Sequence, residues 1–143
     1  YQGKTYSKKA LVYVPADYDK QKKYDVLYFL HGSGDSATGF YENSHYQQVL
    51  DKLAKQGKLK HTLVVFPTFY PSKAFVTGDY QKDDKLSRFF ARTELMGVLV
   101  PKVEAKYSTY AKSTAKKELQ QTRAHHTLEA TVTLFEHHAK QIF

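Results

Sequence analysis

Five consecutive residues, His31-Gly32-Ser33-Gly34-Asp35, have the composition of a loop that holds an oxygen anion. They follow an unbroken apolar run, Val26 to Leu30, which suits a strand buried on both faces of a parallel sheet. Glycines let a ligand approach the backbone closely, and in open α/β sheets ligands bind beyond the carboxyl ends of the strands. The backbone amides of Gly32, Ser33 and Gly34 are therefore the candidate donors to such an anion. The Ser33 hydroxyl would need a base within hydrogen-bond reach to act as a nucleophile. It also lacks the G-x-S-x-G frame that exposes a nucleophilic serine on a sharp strand-to-helix turn. Ser33 is read as an amide donor.

The other ionisable groups have less to recommend them. His125-His126 and His137-His138 suggest a metal, but adjacent residues of a strand point to opposite faces, and metal-binding helices place histidines at i and i+4. Neither pair fits, so no metal and no cofactor are expected. Asp83-Asp84 and Glu42 have no partner at a recognisable spacing and read as solvated loop charge.

The elements that must position the loop follow from pattern. Ala10 to Val14 is β-rich and stops at Pro15, which cannot continue a central ladder. Ser36 to Ser44 reads as irregular. Tyr46, Val49, Leu50 and Leu53 recur at helical spacing, which predicts a helix from about Ser44, as N-cap, to Gly57 at C′. His61 to Phe66 is a second buried strand, and strand-loop-helix-strand in this order implies a parallel pair joined by a crossover. Thr68 to Leu86 reads as a long connection, the kind of loop that is usually functional or mobile. A helical pattern returns from Arg88 to Lys106, with Pro101 expected to kink or break it. Tyr107 to Gln121 is polar and lysine-rich, and reads as a surface excursion.

Composition narrows the class. The 143 residues are expected to form one domain, short for a complete fold of the kind described below. A hydrophobic content of 41% with 25% charged residues is that of a globular protein. No 18-residue apolar run predicts a membrane span, no signal peptide is recognised, and a start at Tyr1 is expected of a processed or trimmed chain. With no cysteine there is no disulfide and no thiolate metal site. The net charge of +8 comes from scattered lysines with no nucleic-acid motif, so nucleic acid is not an expected partner. The 12 tyrosines and nine phenylalanines offer rings for packing and for carbohydrate or aromatic ligands alike.

Four separated segments occur in an order that resembles one family. They are YVPADYDKQKKYDVLYFLHGSGD (Tyr13 to Asp35), LVVFPT (Leu63 to Thr68), VPKVEAKYSTYA (Val100 to Ala111) and RAHHT (Arg123 to Thr127). Together they resemble the esterase D-like branch of the α/β-hydrolases, feruloyl and acetyl-xylan esterases above all. The resemblance implies an α/β fold with a mostly parallel sheet and helices on both faces. It implies hydrolysis of a carboxylic ester by serine acyl transfer, on feruloyl or acetyl groups of plant polysaccharide, with an extracellular place of action. In that reading HGSGD is the oxyanion loop, and Phe40 and Tyr70 are candidates for the wall of the acyl pocket.

The departure is as specific as the match. After a segment like Arg123 to Thr127 the family continues into G-x-S-x-G, whereas here the chain reads Thr127-Leu128-Glu129-Ala130-Thr131-Val132 and no glycine follows Gly97. No nucleophile, catalytic base or catalytic acid can be assigned, and the chain reads as an incomplete hydrolase domain spanning residues 1–143. A non-catalytic ligand-binding module derived from a hydrolase is the alternative. Glu129 onward is read as a terminal helix. Loss of a central strand is expected to leave Val26 to Leu30 and Leu63 to Phe66 short of a neighbour, with dimerisation through an exposed sheet edge.

Overall fold

A computed structural model describes residues 1–110. The Arg123 to Thr127 segment, the helix expected from Glu129 and both histidine pairs lie outside the described residues, as does most of the expected surface excursion.

Three strands form a mixed sheet in the order β1 (Leu11–Tyr13), β3 (Thr62–Phe66), β2 (Asp25–Tyr28). The β2–β3 pair is parallel, with Asp25 opposite Thr62 and Tyr28 opposite Val65. The β1–β3 pair is antiparallel, with Leu11 opposite Phe66 and Tyr13 opposite Val64. Every residue of β3 is buried, because β3 has a strand on each side and helices above and below. This corrects the expectation for Leu63 to Phe66: the LVVF run is the centre of the sheet, not an edge. On the outer side of β2, Tyr24 makes an isolated parallel bridge with Thr109. Beyond it no described residue pairs with that edge.

The alternation of β3 sorts the helices. Val64 and Phe66 face one cluster with Tyr13, Leu27, Leu50 and Leu59. Val65 faces the other, with Tyr28, Tyr70, Leu86, Phe90 and Val103. The first cluster is covered by α1 (Ala37–Asn43) and α2 (Tyr46–Lys55). The second is covered by α3 (Tyr80–Phe89), a π-helical stretch (Phe90–Leu99) and α4 (Val100–Lys106). The result is an α/β layering with helices on both faces.

Several local features differ from expectation. Ser36 to Ser44 is not irregular: Ser36 Oγ accepts the Gly39 N–H at 3.0 Å and starts α1. Ser44 therefore ends α1, and α2 begins after His45 in the left-handed region. At the other end of α2, Gly57 (φ +73°) donates to Ala54 and Lys58 donates to Leu53, both at 2.9 Å, a Schellman closure that needs the positive φ of glycine. The connection after β3 is shorter than expected, since α3 starts at Tyr80 under an Asp79 cap that accepts from Gln81 and Lys82. Pro101 does not break the helix. The preceding turns are π-helical, with Val100 N–H bonded to Leu95 O, and the wider turn accommodates the proline ring and its missing donor. No helix among the described residues is long and apolar enough to cross a membrane.

Candidate functional site

The loop after β2 is organised by His31, which is 4% exposed. Its Nδ1 lies 2.8 Å from Gly32 O and its Nε2 lies 2.8 Å from Thr68 Oγ1. A carbonyl can accept but never donate, so the proton belongs on Nδ1, and Nε2 accepts from the threonine hydroxyl. Thr68 Oγ1 in turn accepts the Tyr70 N–H at 3.3 Å. The ring stacks on Phe69 and Tyr70, at 4.5 and 5.4 Å between centroids. Burial holds its pKa below the ordinary 6.5, against the upward pull of the Gly32 hydrogen bond and of Asp35 and Asp83. The imidazole is thus neutral with both nitrogens engaged.

Pinning the Gly32 carbonyl orients the next amide. In a trans peptide C=O and N–H point in opposite directions, and no cis peptide is present. The Ser33 N–H therefore points away from the His31 ring, and among the described residues neither it nor the Gly32 N–H has an acceptor. Gly34 differs. At φ +78° it needs the freedom of glycine, and its N–H donates to Tyr70 Oη at 2.8 Å.

Beneath the loop lies a buried carboxylate, that of Asp83. Asp83, on α3, is 4% exposed. Its Oδ2 accepts from the Ser33 hydroxyl and, at 2.7 Å, from Tyr70 Oη. Its Oδ1 is buried with no partner among the described residues. The solvated-loop expectation for Asp83 is therefore wrong, and the signal was available: Asp83, Leu86 and Phe90 stand at i, i+3 and i+7, a buried helical face. Asp84 is exposed, but it too has a partner, Arg88 Nε at 2.8 Å, four residues on. With Ser33 Oγ turned to Asp83 and His31 turned to Gly32 and Thr68, no Ser33–His31 nucleophile–base pair forms.

The structure brings Gly32, Ser33, Gly34 and Tyr70 together, and separates Phe40 from them. Tyr70 is 3% exposed and belongs to the cluster under α3, with its phenol pushed above the ordinary value chiefly by burial. Phe40 packs on Phe29, Tyr46 and Phe66 in the cluster on the opposite face of the sheet. Glu42 lines a separate polar concavity with Tyr41, His45, Gln47, Gln48 and Asp51, which includes no residue of the loop. Among the described residues no three His, Asp or Glu side chains group to hold a metal ion.

Comparison with known proteins places these features in context. The family model described as "Putative esterase" matches residues 6–116. The chain is 33% identical over 126 residues to endo-1,4-beta-xylanase Y of Acetivibrio thermocellus, covering 87% of this chain and 11% of that protein. Among solved structures it is similar to a CE1 ferulic acid esterase from Anaeromyces mucronatus in complex with ferulic acid, at a TM-score of 0.61 and 31% identity over 73% of this chain. It is similar also to a structure described as FAE, at a TM-score of 0.59 and 35% identity over 75% of this chain. The chain spans 42% and 34% of those two structures' chains, respectively.

Proposed function

The chain belongs to the esterase family and carries part of an α/β-hydrolase fold, and on that premise we propose that its HGSGD loop is the oxyanion-binding part of a carboxylic ester hydrolase. The proposed substrate is a feruloyl or acetyl ester on plant polysaccharide, with an extracellular place of action. The observation that carries this reading is the Ser33 amide, aimed away from the His31 ring and without an acceptor among the described residues. A preorganised N–H of this kind stabilises the charge that develops on the carbonyl oxygen, and losing one such donor costs on the order of 10²–10³ in rate. Gly32 offers a second amide, while Gly34 joins only when Tyr70 Oη gives up its bond.

Serine acyl transfer is the mechanism the family implies, with attack, acyl-enzyme and hydrolysis. No G-x-S-x-G occurs in the 143 residues, so none of them is assigned as nucleophile. For the same reason a binding module that keeps the anion site without the chemistry is the second reading.

Two measurements on the 143-residue chain test the proposal. A fluorophosphonate probe should label no residue, and p-nitrophenyl acetate turnover should match a heat-treated control; stoichiometric labelling at Ser33, Ser36 or Ser44 would mean that the nucleophile has been misread. Titration of ¹⁵N-labelled protein with ferulate should move the Ser33 amide resonance first. An unmoved Ser33 amide at millimolar ferulate removes the oxyanion assignment.

A further inference from the structure

We propose that Asp83 is a positioning residue that sets the conformation of the HGSGD loop and decides which of its amides is free. The proposal rests on the oxyanion reading of that loop. One carboxylate oxygen, Oδ2, receives the Ser33 hydroxyl and the Tyr70 hydroxyl. Tyr70 Oη, its proton committed to Asp83, presents a lone pair to the Gly34 N–H. Asp83 therefore holds the side chain of the residue whose amide has no acceptor among the described residues, and through Tyr70 it engages the amide that follows. Together with the His31–Gly32 bond, three successive residues of the loop are each tied to a different buried group.

The cost of the arrangement points the same way. Asp83 is buried, and its Oδ1 has no partner among the described residues. A buried carboxylate with an unsatisfied oxygen is a poor device for stability alone, and uncharged substitutes of similar volume are often neutral or stabilising. What an apolar side chain at position 83 could not supply is an acceptor for two hydroxyls from Ser33 and Tyr70, 50 and 13 residues away in the chain. Tyr70 consequently competes with any ligand for the Gly34 amide. With the phenol in place, the loop offers the Gly32 and Ser33 amides; without it, the Gly34 amide is added to them.

Amide hydrogen exchange on the ¹⁵N-labelled full chain tests this directly. In Asp83→Ala, exchange at Gly34 should rise about tenfold, the order expected for one net hydrogen bond, while Leu63 to Phe66 stay within about twofold of the wild type. Asp83→Asn, whose amide oxygen still accepts both hydroxyls, should restore Gly34 protection to within about threefold of wild type. Gly34 exchange unchanged in Asp83→Ala overturns the proposal, as does an equal acceleration of Gly34 and the β3 amides, which would make Asp83 a general stabiliser. Should Asp83→Ala not fold, Asp83→Leu takes its place, since it fills a similar volume without an acceptor for the two hydroxyls and must accelerate Gly34 selectively. The two readings fail separately: ferulate that moves no loop amide removes the oxyanion role and leaves the Gly34 result standing.

Discussion

Replacing His31 by leucine probes the loop and the core at once. The substitution removes two hydrogen bonds, to Gly32 O and Thr68 Oγ1, at about 0.5–1.5 kcal/mol each. It also removes stacking on Phe69 and Tyr70, worth about 0.5–1.5 kcal/mol. The expected loss is about 2–4 kcal/mol at pH 8, a large share of the 5–15 kcal/mol typical of a domain. The pH dependence separates this cause from a simple packing defect. Burial lowers the folded-state pKa of His31 below the 6.5 of the unfolded chain. Below 6.5 the unfolded state binds the proton more readily, so the stability contributed by neutral His31 is fully present above that pH and is lost as pH falls through the window beneath it. The wild type should lose up to about 1.4 kcal/mol per pH unit there from this group. The leucine variant has no such group, so the gap between the two proteins should narrow from pH 8 to pH 5. Urea titrations at pH 8, 6.5 and 5 measure the gap, and subtraction cancels the groups the proteins share. A gap that stays constant or widens on acidification refutes the reasoning, as does an imidazole C2–H titration with its midpoint at or above 6.5.

Two further outcomes are expected. Phe66→Ala removes a fully buried ring that meets Phe29, Phe40, Tyr41 and Tyr46, and should cost about 3–5 kcal/mol, against less than about 1.5 kcal/mol for Phe66→Leu; denaturant midpoints for the two that differ by less than the scatter of the measurement would show that this cluster is not the core. Sedimentation of the 143-residue polypeptide at micromolar concentration should reveal dimers or larger species, through the outer edge of β2 that no described residue pairs beyond Tyr24; a monodisperse monomer would refute edge-to-edge association.

The strands were legible because a run such as Leu63 to Phe66 has few places to go other than a buried ladder, and Pro15 and Pro67 mark where two of them stop. The parallel β2–β3 pair followed from the helix between them. What stayed hidden were features decided by single hydrogen bonds. Gly39 hid α1, since a glycine there looks like a loop until Ser36 is seen to cap it. Asp83-Asp84 looked like one charged patch, although the helix turns the first inward and the second outward. Tyr70 was singled out for its ring, yet its hydroxyl makes the contacts that shape the loop. Phe40 shows the converse limit: residue type suggested a pocket wall, and the alternation of β3 placed it on the other side of the sheet.

The strand order has a consequence for how the molecule is made. Both ladders of the described sheet join strands far apart in the chain: β2 waits 37 residues for its partner, from Asp25 to Thr62, and β1 waits 55, from Leu11 to Phe66, with β2 made in between. At about 5–20 residues per second on the ribosome, β2 leaves synthesis roughly 2–7 seconds before the strand that completes it. During that interval α1 and α2 can form locally, but the apolar side chains of Val26 to Leu30 have no ladder to enter. Of the described strands, the last to arrive is the one that joins the other two, so this three-stranded sheet closes in a late step and the HGSGD loop, tied to Thr68, Tyr70 and Asp83, takes shape only after it.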